Sequence, residues 1–338
     1  MQTQDIKRRI RSVKSTQQIT RAMKFVAAAK LRRSQERMLA MRPYANAVDG
    51  LIRHVAEDLV GDEHPLFSPR LPPRRAAYVL IAGDRGLCGG FNANLFRLME
   101  AYCRERSDLE HVFLAVGKRA IAGLRKSGRR TLVTYHDVFE KLSYVLSGEI
   151  CDRLIAMFSS PDAAGERIDE AYVVYNEFAS MLTQRAVIRK LLPVSLQELR
   201  PRQSLEEEED EAGPGPESRL PDEEPDDIFD IGDIEEELAV RKAEREAMAK
   251  PGLGRHIYNL LPDPAQALEK LISRRLATEI HRAMLESYAA ELAARMTAMD
   301  NATANAEEMV SSLTLDLNRA RQAGITLELL DIIGGASA

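Results

Sequence analysis

The stretch AAYVLIAGDRGLCGGFNANLFRLMEAYCRE, residues 76–105, decides the fold of the middle of this chain. Residues 76–82 are an apolar run typical of a buried strand, and residues 92–105 carry apolar side chains at helical spacing. Four glycines, one aspartate, one arginine and one cysteine lie within residues 81–92. Because nucleotide-binding folds hold phosphate groups at such a strand, turn and helix, the stretch raises the question of a nucleotide site.

The alternation of strands and helices continues after this stretch. HVFLAVG at 111–117 and TLVTY at 131–135 read as strands, and each is followed by a helical pattern, KRAIAGLRKSG and VLSGEICDRLIAMF. EAYVVYNEF and RAVIRKLLP read as two further strands. This order predicts a Rossmann-like central α/β domain over residues 74–195, with a mostly parallel sheet and an antiparallel edge.

The spacing of the glycines argues against a phosphate cradle. Glycines at 83, 86, 89 and 90 do not give the GxGxxG order, and no Gly-Lys-Ser/Thr follows. We therefore interpret the loop as a structural turn. A nucleotide-binding α/β enzyme stays as an alternative reading.

Other catalytic or metal-binding patterns are missing from the sequence. The six histidines are scattered without an HExxH or i,i+4 pair, and the three cysteines form no CxxC pair. We interpret Asp84 as a capping or solvated carboxylate and Cys88 as a small packed side chain. The sequence predicts no catalytic, cofactor-binding or metal-binding residue.

The N-terminal segment, residues 1–58, is predicted to form one long coiled-coil helix. Its apolar side chains recur at helical spacing in two stripes. The first stripe is Ile6, Ile10 and Val13, and the second, displaced around the helix, is Ile19, Met23 and Val26. Pro43 removes a helical donor, so a kink or an end is expected there.

The C-terminal segment, residues 263–333, is predicted to form a second and longer helix. Asp263 is a suitable N-cap, Pro264 a suitable first residue, and Gly334 with Gly335 a suitable stop. Its seam advances only in steps of three and four: Leu276, Ile280, Met284, Tyr288, Leu292, Met296, Met299, Thr303, Ala306, Val310, Leu313 and Leu317. Such a repeat is typical of a helix that packs against a partner helix, so we expect an antiparallel coiled coil with the N-terminal helix. The apolar tip LELLDIIGGASA should need a surrounding partner.

Charge is strongly segregated along the chain. The net charge is −5 overall, but residues 204–250 hold 19 acidic and 5 basic side chains, whereas residues 1–42 hold 12 basic side chains against Asp5 and Glu36. The basic arm should attract an anionic partner. A basic coiled-coil protein that binds nucleic acid is a second alternative, although the arm has one aromatic residue before Tyr44 and no reading motif.

Three separated stretches resemble the gamma subunit of the F-type ATP synthase. They are IKRRIRSVKSTQQITRAMKFVAAAKLRR, GDRGLCGGFN, and ELAARMTAMDNATANAEEMVSSLTLDLNRARQAGITLELLDIIGGA, and the similarity covers nearly all of residues 1–195 and 257–336. The resemblance implies a central rotor stalk, one copy per complex, inside a hexamer of three alpha and three beta subunits. It implies contacts with the epsilon subunit and the membrane c-ring, and catalysis on the beta subunits.

The resemblance also implies particular contacts and a location. Met23 and Lys24 match positions that face an acidic loop of the beta subunits, and Arg321, Gln322 and Thr326 match a segment that contacts them higher on the stalk. The subunit should lie at the cytoplasmic side of the cell membrane as a peripheral protein, without inserting into the bilayer, since no run of about 20 apolar residues and no signal peptide occurs.

Residues 200–254 depart from most bacterial members of that family. The segment is acidic and proline-rich, a composition that favours disorder, although IEEELAVRKAEREAMA can form a helix. Its position is similar to that of the regulatory insertion in chloroplast gamma subunits, but the cysteine pair of that switch is absent. A tethered regulatory element and a passive solvated loop are both compatible with the sequence.

Overall fold

Along the chain, one long helix precedes the five-stranded sheet and a second long helix follows it. The computed structural model describes residues 3–58, 66–139, 142–160, 167–194 and 264–336. Their helices and strands are α1 (Thr3–Asp58), β1 (Arg75–Ile81), α2 (Phe91–Glu105), β2 (Glu110–Val116), α3 (Lys118–Lys126), β3 (Thr131–Tyr135), α4 (Tyr144–Ser159), β4 (Glu170–Phe178), β5 (Gln184–Leu192) and α5 (Pro264–Ala336). The acidic segment 200–254 and the expected N-cap Asp263 lie outside the described residues.

The sheet has the strand order β3-β2-β1-β4-β5. Strands β1 to β4 pair in parallel, and β5 pairs antiparallel with β4. This confirms the predicted mostly parallel sheet with an antiparallel edge. The order reverses between β1 and β4, because the chain first builds outward to β3 and then returns to the other side of β1.

Both faces of the central strand are covered, as parallel sheets require. Tyr78 and Leu80 of β1 pack on one face with Leu95 and Met99 of α2. Their neighbours on the opposite face, including Val79, are equally inaccessible to solvent. The core of the α/β domain therefore lies on both sides of β1, and β1 delivers the glycine-rich loop at its carboxyl end.

One glycine is required by the join between β2 and α3. Gly117 has φ +94°, a conformation that side-chain-bearing residues rarely adopt, and a Cβ there would overlap the carbonyl oxygen of Ala82. The backbone N–H of Ala82 donates to the carbonyl oxygen of Val116, at 3.0 Å. The ends of β1 and β2 are thereby held together next to the glycine-rich loop.

Helices α1 and α5 run antiparallel, and three polar contacts give the register. The hydroxyl oxygens of Thr20 and Thr303 are 2.7 Å apart, Lys24 forms an ion pair with Asp300 at 2.6 Å, and Arg275 forms one with Asp49 at 2.9 Å. In each pair the residue numbers add up to nearly the same value, as antiparallel helices demand. Helix α1 is continuous through Pro43, and α5 runs through Gly334 and Gly335 to Ala336.

The seam of α1 differs from the one expected from its apolar residues. Ile19 and Val26 are 58% and 56% exposed, so the shifted stripe is not the buried one. The less exposed side chains keep the first stripe instead, in alternating steps of four and three: Ile6, Ile10, Val13, Gln17, Thr20, Lys24, Ala27, Leu31 and Ser34. A regular 3.5-residue repeat outweighs the hydrophobicity of single positions, because only this repeat stays in contact with α5.

Helix α5 has two sections with different surroundings. Between Ile272 and Met299 nearly every described side chain is buried or half-buried, because α1 and the α/β domain both cover this section. Between Asn301 and Thr326 mainly the seam positions facing α1 are shielded, and most other side chains are exposed. By the register above, α5 continues past the level of Thr3 for about 16 residues, or about 24 Å.

Within the described part of the chain, no helix is sufficiently long and apolar to span a membrane.

Candidate functional site

The carboxyl edge of the sheet, where β1 and β4 end, is the place at which doubly wound folds bind ligands. In this protein a face of α5 occupies that place. Ser287 lies 3.5 Å from the carbonyl oxygen of Ile81, Arg295 lies 3.4 Å from the carbonyl oxygen of Gly86, and Ala298 lies next to Gly89. The loop and the long helix are thus in contact over more than two helical turns.

The glycine at 83 is explained by this helix. A Cβ on Gly83 would lie 2.9 Å from the carboxyl carbon of Glu291, closer than real side chains approach one another. Any larger residue would force the Glu291 carboxylate out of its position against the end of β1. In this protein the absence of a side chain allows close packing of a helix. In a dinucleotide-binding loop the same absence of a side chain lets a phosphate approach the backbone.

An acidic side chain also occupies the place that a phosphate would take in a dinucleotide-binding loop. Glu291 is almost fully buried and forms an ion pair with Arg295 one helical turn later. Burial raises the pKa of the Glu291 carboxyl, and the charge of Arg295 opposes that shift. The position is filled by protein atoms, including an acidic side chain, so it does not support the nucleotide-binding alternative.

Two residues of the loop have the structural roles expected from the sequence. The carboxylate of Asp84 accepts from the backbone N–H groups of Lys118, at 2.9 Å, and Phe139, at 3.2 Å, and so caps the start of α3. The thiol of Cys88 is buried, accepts from the Asn92 amide at 3.3 Å, and has a pKa raised mainly by burial. Neither group is arranged as a base, a nucleophile or a metal ligand.

The expected contact residues on the coiled coil fall into two groups. Met23 and Lys24 are half-buried, and the Lys24 ammonium is paired with Asp300 across the two helices. Arg321, Gln322 and Thr326 are exposed on α5, and the Thr326 hydroxyl donates to the carbonyl oxygen of Gln322 at 2.9 Å.

The structure does not bring these two groups together. Asp300, the partner of Lys24, lies about 20 residues before the second group on α5, which is roughly 30 Å along the helix.

Two sets of residues were missed by reasoning from the sequence. The first is the polar row of α5 that contacts the loop: Ser287, Glu291 and Arg295. Their spacing of four in an otherwise apolar helix was the available signal. The second set comprises the exposed apolar side chains of α1, of which Ile19 and Val26 were predicted to lie on the buried seam.

Comparison with known proteins gives a consistent assignment. Residues 2–338 match the family model described as ATP synthase. The ATP synthase gamma chain of Heliobacterium modesticaldum is 36% identical over 334 residues, covering 99% of this chain and 98% of that one. The gamma chain of Pelotomaculum thermopropionicum is 38% identical over 334 residues, with the same two coverages. These relatives have nearly the same length as this chain, so residues 200–254 are not an addition peculiar to it.

Solved structures agree in fold. A chain in the Euglena gracilis mitochondrial ATP synthase (OSCP/F1/c-ring, rotational state 3) superimposes with a TM-score of 0.59 at 21% identity, covering 99% of this chain and 93% of that one. A chain in the rotor of the same complex gives 0.56 at 20% identity, covering 96% and 98%. The protein therefore belongs to the ATP synthase family, and the relatives it matches along its whole length are gamma chains.

Proposed function

We propose that this protein is the central stalk of an F-type ATP synthase and couples ion flow through a membrane c-ring to ATP synthesis. The catalytic sites lie on the beta subunits, and this chain transmits rotation without bond chemistry of its own. Its place is at the cytoplasmic face of the cell membrane, as a peripheral subunit present once per complex. The alpha, beta and epsilon subunits and the c-ring are its partners.

The observation that carries this proposal is the change in the surroundings of α5. One section of the helix is clamped between α1 and the α/β domain, and the next leaves the domain as a two-helix coiled coil. A shaft anchored in this way can transmit torque from the domain to a sleeve around the coiled coil. It can shift the states of the surrounding subunits only through contacts that differ between those states.

Exposed side chains on the coiled coil are suited to such contacts. Phe25 and Val26 of α1 are 61% and 56% exposed, so packing within this chain leaves more than half of each residue open to solvent. They lie beside Met23 and Lys24, which we assign to contact with beta subunits, as we do Arg321, Gln322 and Thr326 of α5. To bind an acidic loop of a partner, Lys24 must break its ion pair with Asp300 or bind both carboxylates at once. Asp300 therefore weakens or strengthens that contact according to how firmly it holds Lys24.

A rotation assay tests the proposal. The full-length chain is assembled with its alpha and beta subunits, and a bead is attached through Lys126→Cys on the exposed end of α3; the described cysteines are all buried. Addition of ATP should turn the bead in three steps per revolution. Hydrolysis without rotation of a stably bound chain would contradict the stalk assignment.

We assign a regulatory role to residues 204–250. Their acidic excess is opposite in sign to the basic excess of residues 1–42, so the segment can compete for basic surfaces of the stalk. Deletion of residues 204–250 in the assembled alpha-beta complex should raise the rate of ATP hydrolysis or remove its inhibition. If the deletion changes neither the rate of ATP hydrolysis nor its inhibition, the regulatory role is wrong and the segment is a passive loop.

A further inference from the structure

An open cavity of about 630 Å³ lies between α1, the start of α4 and α5. Small-molecule sites in proteins have volumes of this order and are lined mainly by apolar and aromatic groups with a few polar ones. The lining of this cavity has that composition, since it includes the apolar side chains of Met41 and Leu285 and the rings of Tyr44, Tyr144 and His281. The proposed stalk role makes no use of this cavity.

The rings of the cavity are fixed by contacts between the three helices. Tyr144 meets Tyr44 edge to face, with ring centroids 6.5 Å apart, and meets His281 in the same way at 5.5 Å. The hydroxyl oxygen of Tyr144 lies 3.1 Å from that of Thr278. Nδ1 of His281 lies 3.1 Å from the Ser147 hydroxyl oxygen. A ligand therefore meets walls that are already in place, so its binding orders few side chains.

The electrostatics of the cavity favour an anion. Among the described residues that line it, only Arg37 carries a full charge, and no described acidic side chain forms an ion pair with this guanidinium. Burial lowers the pKa of His281, so its ring is neutral at neutral pH. Burial raises the pKa of the Tyr144 hydroxyl, and the positive charge of nearby Arg274 opposes that rise. A ligand in this cavity thus meets positive charge, which disfavours an organic cation.

The number of charges narrows the class of anion. One guanidinium balances a single negative charge, and its planar fork can bind both oxygens of a carboxylate at once. A phosphate monoester carries about 1.5 to 2 negative charges at neutral pH, so part of its charge would stay uncompensated among apolar groups. Rings that already pack edge to face are suited to a further flat aromatic group.

We propose that this cavity binds a small aromatic carboxylate. The flat apolar body lies against the rings of Tyr44 and Tyr144, and the carboxylate accepts from the Arg37 guanidinium. Such a ligand contacts α1, α4 and α5 together. Its binding therefore stabilises the junction between the two long helices and the α/β domain by mass action.

The test is a titration of 2-naphthoate into the full-length chain with ¹³C-labelled methionine methyl groups, followed by NMR. The signal of Met41, assigned with Met41→Leu, should shift in a saturable way with a Kd of about 1 mM or lower. The signal of Met181, which lies in the turn between β4 and β5 and not in the cavity lining, should not move. The uncharged analogue 2-naphthamide should bind at least about tenfold more weakly, because it lacks the charge-assisted contact with Arg37.

Variants connect this binding to single residues. Arg37→Gln should raise the Kd of 2-naphthoate at least about tenfold and change that of 2-naphthamide much less. Tyr144→Leu should weaken the binding of both compounds, because it removes a ring that both contact. Arg33→Gln is the matched control: it alters an exposed arginine of α1 one turn earlier, outside the cavity lining, and should change neither Kd.

Three results would overturn the inference: no saturable shift of the Met41 signal, equal affinities for the carboxylate and the amide, or unchanged binding of 2-naphthoate by Arg37→Gln. Binding that occurs only after deletion of residues 204–250 overturns it as well, because that segment then fills the cavity in the whole chain. The titration uses no partner subunit, so its outcome is independent of the proposed stalk function.

Discussion

The buried ion pair between Glu291 and Arg295 gives the sharpest test of how α5 is anchored to the glycine-rich loop. The side chains are 3% and 10% exposed, so Arg295→Met leaves a carboxylate without its charge partner inside the protein. Breaking such a pair destabilises a protein by about 3 to 5 kcal/mol. We expect a loss of at least about 3 kcal/mol, because Arg295→Met also removes a donor that lies 3.4 Å from the Gly86 carbonyl oxygen.

The pH dependence of this loss follows from the raised pKa of Glu291. Without Arg295 the folded-state pKa rises further above that of the unfolded chain. The folded state then takes up a proton that the unfolded state does not, so stability falls as pH rises through the interval between the two pKa values. The loss caused by Arg295→Met should therefore be smaller at about pH 5 than at about pH 8.

Urea denaturation of the full-length chain, followed by circular dichroism, measures both effects. Adding Glu291→Gln to Arg295→Met should restore most of the stability, because the uncompensated charge is gone. Arg32→Met removes one partner of an exposed i,i+4 pair and should change stability by less than about 0.5 kcal/mol. A loss from Arg295→Met no larger than that of the control, or no recovery with Glu291→Gln, would refute the reasoning.

Three further predictions follow from single contacts. Thr303→Val should cost about 1 kcal/mol because it leaves the buried Thr20 hydroxyl without its cross-helix partner, and Thr20→Val in addition should recover part of it; urea midpoints measure both. Gly117→Ala should destabilise by about 2 kcal/mol or more, detected as a lower Tm, and no change would contradict the assigned strain. Burial lowers the pKa of His281, so stability should fall as pH drops below about 6.5. His281→Gln should flatten that part of the Tm profile between about pH 7.5 and 5.5.

The sequence was sufficient for the class of fold and for the two long helices. Strand-like runs of five to nine residues, separated by turns and amphipathic segments, led to the five strands and their mostly parallel order. The sequence also predicted Asp84 to be a capping or solvated carboxylate, and the structure shows that it caps the start of α3. These features depend on short-range periodicity and on a few turn residues, which a sequence displays directly.

The seam of α1 and the partner of the glycine-rich loop required the tertiary structure. Ile19 and Val26 are as hydrophobic as core residues, and only the register with α5 shows that they lie on the outside. Lys24, a charged residue on the seam, is accommodated because Asp300 lies opposite it, 276 positions later in the chain. Contacts at that separation leave no local pattern in the sequence.

By itself, the sequence determined that this protein has a coiled coil, an α/β domain and no phosphate-binding spacing in residues 83–90, because each depends on neighbouring residues. The tertiary structure alone decided why those glycines are there. Gly83 makes room for Glu291 of a helix from the other end of the chain. Such a contact arises only when the two ends of the chain pack together, because long-range packing decides which side chains share a small space.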